Sequence, residues 1–202
     1  MKIRVAVITA STTGYAGKRE DISGAKICEI VEEAGMEVTF KKILPDDRET
    51  LAKVMAVIAD SQMADLILTT GGTGFSKTDC TPEATTDICE RLVPGIPEAM
   101  RAASMKYTKR AMLSRAAAGI RKETLIINLP GSPKAVEESF AEILEEVIHG
   151  VEILTGQLRS VRENEKIHRR RASASCVDQR GGRSGKWDRS SLISQWISGD
   201  HD

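Results

Sequence analysis

The chain has 202 residues, 29 Lys or Arg against 29 Asp or Glu, and 41% hydrophobic residues, which suits one domain with a core of ordinary size plus an appendage. The neutral total hides a split: residues 156–202 carry ten basic against six acidic residues, leaving nineteen against twenty-three before them. A mildly acidic body argues against a broad nucleic-acid face, no run approaches the roughly 20 apolar residues of a membrane helix, and the apolar start at residues 3–8 is too short for a signal peptide. A cytoplasmic protein with neither membrane nor nucleic-acid partner is therefore expected. The four cysteines, Cys28, Cys80, Cys89 and Cys176, form no CxxC pair and adjoin no histidine cluster, so neither a zinc site nor a disulfide framework is expected.

Apolar, β-branched runs at 3–8, 37–44, 65–70 and 124–129 predict four strands, and the helix-like segments between them predict a parallel sheet. Residues 23–33 place Ile27, Cys28, Ile30 and Val31 at helical spacing, closing at Ala34-Gly35, and 48–59 do the same with Leu51, Val54, Met55 and Ile58. Thr81-Pro82-Glu83 predicts a helix start with Thr81 as cap, running to about 92. Pro94-Gly95-Ile96-Pro97 reads as a break, and 98–107 resumes helical composition. The Ala-rich stretch 111–121 is ambiguous between helix and loop. A long closing helix is predicted over 136–154, capped by Ser132 with Pro133 next. From residue 156 onward the periodicity dissolves into Arg, Ser and Gly, which predicts a disordered basic tail over 156–202 and a folded domain over 1–155. Within the tail, residues 192–197 around Trp196 have the makings of a short amphipathic segment, although a solvated tail without function is the plainer reading.

The third strand runs into Thr69-Thr70-Gly71-Gly72-Thr73-Gly74, followed by Asp79 and the helix start at Thr81. In an open α/β sheet, ligands bind at the carboxyl ends of the strands. Glycine there admits backbone N–H groups close to an anion, and Asp79 supplies the charge to hold Mg²⁺ beside phosphate. Taken alone, a tight turn capped by Asp79 is the plainer reading. The last strand ends the same way, in Pro130-Gly131-Ser132-Pro133, so two glycine turns can face one ligand.

Neither a complete Walker A loop nor the GxGxxG fingerprint is present. No GxSxG nucleophile is present, and of the three histidines two lie in the tail, so serine–histidine chemistry is excluded. What remains is carboxylates after strands: Asp46 and Asp47 after the second, Asp79 after the third. One of Asp46 and Asp47 is expected to cap the following helix, and Asp21 after the first strand reads as a helix start as well. Arg115, Arg121, Lys122 and Lys134 are the candidate cations for an anionic substrate.

Six pieces of the chain then combine, in order. They are Glu20-Asp21-Ile22-Ser23-Gly24; Leu44-Pro45-Asp46-Asp47; Thr69-Thr70-Gly71-Gly72-Thr73-Gly74 with Asp79-Cys80-Thr81-Pro82-Glu83; Pro94-Gly95 with Glu98-Ala99-Met100-Arg101; Met112-Leu113-Ser114-Arg115 with Gly119-Ile120-Arg121; and Asn128-Leu129-Pro130-Gly131-Ser132-Pro133. On these residues the chain resembles the molybdopterin-binding family of molybdenum cofactor biosynthesis, and within it the adenylyltransferase branch that is similar to the G domain of gephyrin. The resemblance implies a three-layer α/β/α fold, a homotrimer, and transfer of AMP from ATP to molybdopterin with Mg²⁺, the product passing to a molybdenum-insertion protein. It implies that Asp46 and Asp79 are essential carboxylates holding Mg²⁺ or orienting phosphate. Gly71, Gly72, Thr73, Gly74, Gly131 and Ser132 would cradle nucleotide and phosphate, and Ser114 with Arg115 would meet the pterin's phosphate end. A scaffold of the same fold with little or no adenylyl transfer is the alternative. One departure stands out: many relatives carry an acid in the first loop, where this chain has Ser11-Thr12-Thr13.

Overall fold

In the computed structural model, which describes residues 2–156, a six-stranded sheet has the order β2-β1-β3-β6-β5-β4. The strands are β1 (Arg4–Ala10), β2 (Glu37–Leu44), β3 (Leu66–Thr70), β4 (Arg91–Leu92), β5 (Ala118–Arg121) and β6 (Thr124–Leu129). The first three and β6 run parallel, while β5 is antiparallel to both β6 and β4. The expectations for the basic tail, Trp196 included, lie outside the described residues.

Alternation along the strands builds three layers, because successive side chains leave a strand on opposite faces. Val5, Val7, Leu66, Leu68, Leu125 and Ile127 join one core with Ile27 and Val31 of α2 (Ile22–Glu33), Met100 of α5 (Gly95–Met105), and Val136, Phe140 and Val147 of α6 (Pro133–Leu154). Ala6, Ile8, Ile67 and Ile126 turn the other way, onto Leu51, Met55 and Ile58 of α3 (Arg48–Asp60) and Ala84 of α4 (Thr81–Ile88). Burial on both faces is why β3 and β6 read as mainly apolar runs without alternation. This is the three-layer α/β arrangement expected.

Several local expectations are corrected. The helix predicted to reach 92 ends at Ile88, because the next residues pair with β5: Glu90 N donates to Ile120 O, and Arg91 and Leu92 form β4. The cap of α4 is Cys80 rather than Thr81. Pro97 does not break α5, since it lies in the first turn, where a backbone N–H has no helical acceptor anyway. The ambiguous Ala-rich stretch divides into a 3₁₀ turn, Lys109–Leu113, and strand β5. β5 turns into β6 through Lys122 at φ +51°.

Candidate active site

Because β1, β2, β3 and β6 are parallel, their carboxyl ends share one edge. The chain leaves β1 outward to β2 on one side and returns to β3 on the other, so the crevice between the β1 and β3 ends is the topological switch point at which such sheets bind ligands. A cleft of about 340 Å³ lies there, and its walls include Ser11, Asp21, Asp46, Gly71, Asp79 and Gly131. The two glycine turns abut at its floor. Gly71 has φ +90° and Gly72 φ +64°; a Cβ on Gly71 would strike the Ala10 carbonyl oxygen, and one on Gly72 would strike the Thr81 hydroxyl. A Cβ on Gly131 would lie 3.3 Å from the Gly71 Cα. Thr81 holds the loop by donating its hydroxyl to Gly71 O at 2.9 Å.

Asp47 is the helix cap of the acidic pair: it accepts from Thr50 N at 2.8 Å, and the bonds from Thr50 draw its carboxyl below the ordinary range. Asp46 is thereby left to the cleft. Its Oδ2 accepts both the backbone N–H (2.7 Å) and the hydroxyl (2.8 Å) of Thr12 in the short helix α1 (Thr12–Tyr15). Asp79 follows the same economy: Oδ2 accepts from Gly74 N at 2.8 Å and Ser76 N at 3.3 Å. In both residues Oδ1 accepts no hydrogen bond among the described residues. Asp21 lines the same cleft but is spent structurally, capping α2 through Gly24 N (2.8 Å) and accepting from the Thr9 hydroxyl (2.9 Å).

A second cavity of about 290 Å³ is lined by the following residues of the same loop, Thr73 and Gly74, with Met100, Leu113, Ser114 and Pro130. Its lining is mainly apolar, with Arg101 and Arg110 at hand. Ser114 is brought to this cavity. Arg115 does not line it, its guanidinium being bonded to the glycine loop. Its Nε donates to Gly74 O (2.7 Å), its Nη2 to Asp79 O (2.8 Å), its Nη1 pairs with Glu83, and its backbone N donates to Thr73 O (2.9 Å). The planar fork therefore ties Gly74 to Asp79 and Glu83.

None of the remaining candidate cations lines either cavity, although Lys134 stands between Pro133 of the cleft and Ala135 of the second cavity. Arg121 donates to Asp60 and to the Ile88 carbonyl, Lys122 pairs with Asp60, and Lys134 with Glu138. Two of the cavity cations went unmarked in the sequence. Arg110 has no motif around it, and Arg101 stands in the quoted Glu98-to-Arg101 piece, where its spacing from Ser114 tells nothing; in space its Nη1 donates to Ser114 O at 3.2 Å. Thr12 was read only as a missing acid. Ser132 sits at the N-cap of α6, yet its side chain makes no capping bond, so the first-turn N–H groups of that helix stay open. Among the described residues thiolate chemistry is disfavoured, because burial pushes the thiols of Cys28 and Cys80 up and that of Cys89 to about 11.

Comparison with known proteins agrees with this geometry. Residues 6–150 match the family described as a probable molybdopterin binding domain. A molybdopterin adenylyltransferase of Helicobacter pylori is 38% identical over 163 residues, covering 80% of this chain and 93% of the relative, and that of Escherichia coli is 31% identical over 74% of this chain and 80% of its own length. Among solved structures, the molybdopterin biosynthesis enzyme MoaB of Thermus thermophilus superposes with a TM-score of 0.72 at 42% identity over 76% of this chain and 97% of its own. The tungsten cofactor synthesizing protein MoaB of Pyrococcus furiosus gives 0.68 at 32% identity over 76% of this chain and 97% of its own. With the matched domain spanning both glycine turns and both aspartates, the chain belongs to the molybdopterin-binding family.

Proposed function

We propose that this chain is a molybdopterin adenylyltransferase, transferring AMP from ATP to the terminal phosphate of molybdopterin with release of pyrophosphate. The observation that carries this reading is the shared loop: Gly71 and Gly72 line a cleft bearing Asp46 and Asp79, while Thr73 and Gly74 line a mainly apolar cavity bearing Ser114. A phosphate-rich nucleotide suits the first and a flat heterocycle the second. On this reading their reacting ends meet over the glycine loop.

The chemistry asks little covalent work of the protein. A terminal phosphate oxygen of molybdopterin attacks the α-phosphorus of ATP; the new P–O bond forms as the bond to the β-phosphate bridging oxygen breaks, and the electron pair leaves with pyrophosphate. The attacking oxygen is already ionised at neutral pH, so no general base is required. What the chain supplies is alignment, worth several powers of ten when reacting atoms are held in line. The backbone N–H groups of Gly71, Gly72 and Thr73, and those of Gly131 and Ser132 at the start of α6, are suited to hold phosphate oxygens, Gly74 closing the loop on Asp79. Ser114 offers its hydroxyl at the pterin's phosphate end, and Arg115 serves that end through the loop it holds.

The residues fit Mg²⁺ delivered with the nucleotide. Among the described residues no three His, Cys, Asp or Glu side chains gather into a metal site, but Asp46 and Asp79 each keep one carboxylate oxygen open. Mg²⁺ is usually held by one or two carboxylates together with substrate phosphates. When bound there it would neutralise charge on the triphosphate and the departing pyrophosphate. On this reading domain 1–155 carries the chemistry, the protein works in the cytoplasm as a homotrimer, and product passes to a metal-insertion protein. Among the described residues no helix is long and apolar enough to cross a membrane.

Purified protein given ATP, Mg²⁺ and molybdopterin should yield adenylated molybdopterin and pyrophosphate, and chelating the metal should stop it. Product no greater than in a protein-free control would sink the assignment.

A further inference from the structure

The first loop carries a function that its missing acid conceals. Beyond a register shift at Val5/Ala6, β1 and β2 pair to their last residues, Ala10 with Leu44, and Ser11 N donates to Leu44 O at 2.9 Å. The loops that follow the two strands therefore start side by side. Ser11 turns the first into α1 by accepting from Gly14 N, which aims the N–H and hydroxyl of Thr12 at Asp46. Both donate to one oxygen, Oδ2, at 2.7 and 2.8 Å, and the same hydroxyl accepts from the Asp46 backbone N at 3.1 Å.

This ring constrains the aspartate at two points. A carboxylate on a free side chain rotates and offers either oxygen, or both, to a cation. Here Oδ2 is occupied by two donors, and Oδ1 is directed toward the glycine loop, 3.5 Å from where a Cβ on Gly72 would stand. A charged acceptor with two donors at these distances makes among the stronger hydrogen bonds available to a protein. An acid in place of Thr12 would bring a second negative charge to the cleft and remove the hydroxyl donor. Threonine keeps the local charge lower and makes the aspartate a one-oxygen ligand.

We propose that Thr12 is a positioning residue for adenylyl transfer: it locks Asp46 so that Oδ1 alone meets the Mg²⁺–triphosphate, and it thereby sets how strongly Mg²⁺ improves ATP binding. The inference rests on the adenylyltransferase reading. It names a residue that makes no substrate contact of its own, in a loop where the resemblance offers no counterpart.

The test compares the full-length wild type with Thr12→Val, which keeps shape and the backbone N–H but loses the hydroxyl, with Thr12→Ala, and with Thr12→Ser, which keeps the hydroxyl. ATP affinity is measured by titration calorimetry with and without Mg²⁺, alongside pyrophosphate release and thermal melting. Thr12→Val and Thr12→Ala should each lose about tenfold in kcat/KM, as expected for one hydrogen bond to a charged group. They should also lose most of the Mg²⁺-dependent gain in ATP affinity, while Mg²⁺-free affinity and the melting temperature stay near wild type. Thr12→Ser should restore both properties to within about twofold, because the hydroxyl is the element removed. Wild-type Mg²⁺ dependence in the valine and alanine variants, or a defect that serine fails to rescue, would overturn the role of Thr12 alone. A wild type that neither binds ATP with Mg²⁺ nor releases pyrophosphate would overturn the functional reading and the inference with it.

Discussion

The two ends of the sheet use aspartate in opposite ways. At the amino end, Asp65 is buried and both of its oxygens are taken by one residue: Oδ2 accepts from Arg4 N (2.8 Å) and Nε (3.2 Å), and Oδ1 from Nη2 (2.6 Å). At the carboxyl end, Asp46 and Asp79 each anchor one oxygen on nearby donors and leave the other at an open cleft. A fully paired carboxylate stabilises the fold, whereas a half-paired one is aimed but unsatisfied. That second condition suits a group meant to meet a cation and a phosphate.

The largest effect expected from this contrast is at the open end. Asp79→Asn should lower turnover by about 100-fold or more, the usual scale for losing one aligned charge or donor in a preorganised site, with pterin still bound and the melting temperature nearly unchanged; wild-type turnover would break the comparison. Gly71→Ala should cost both folding and turnover. Its φ of +90° and the Ala10 carbonyl oxygen in the path of a Cβ set a penalty of about 2 kcal/mol or more, visible as a lower urea midpoint. Asp65→Ala should do the reverse of Asp79→Asn: about 2 kcal/mol of stability lost, since the pair is only partly shielded on the Arg4 side, with kcat unchanged. A drop in kcat at unaltered stability would show that the two ends are not separate.

The smallest effect concerns Asp60, which ties the β5–β6 turn to α3. The hydrogen bond from Arg121, seconded by Lys122, lowers its pKa from 3.8 to about 2. With the folded value depressed, its contribution is fully present above pH 3.8 and is lost as pH falls through about 2. Wild type should therefore melt slightly higher than Asp60→Asn at neutral pH. Melting curves from pH 6 down to pH 2 should show that gap closing at the acid end, and a constant gap would contradict the pairing.

Much of the architecture was legible because its causes are local. The runs that became β1, β3 and β6 are apolar and β-branched, and doubly buried parallel strands leave that signature. Gly71, Gly72 and Gly131 stood out for the same reason. β4 and β5 were not legible. They have two and four residues, and what makes them strands is their partners: Arg91 opposite Ile120, and Leu92 opposite Gly119, where a Cβ would strike the Cys89 side chain. Asn128 is a further case. It reads as one polar residue in an apolar strand, yet it donates to the Thr69 and Thr85 hydroxyls and accepts from Ala117 N, tying β3, α4 and the segment before β5 together behind the glycine loop.

By itself the sequence determined the four parallel strands and the main helices between them, the two glycine turns, the family, and the short list of carboxylates that end at one sheet edge. These follow from side-chain periodicity, from the φ values that glycine permits, and from the rule that parallel strands share a carboxyl edge. Tertiary structure alone decided which member of each chemical class does what. Asp47 became a cap and Asp46 a ligand candidate because only Asp47 lies within reach of Thr50 N. Arg115 is bonded to Gly74 O and Asp79 O, and Thr12 to the carboxylate of Asp46. Charge and hydrogen-bonding capacity are properties of a residue, but the atom that uses them is set by distances of about 3 Å between segments remote in the chain, and no local pattern encodes those.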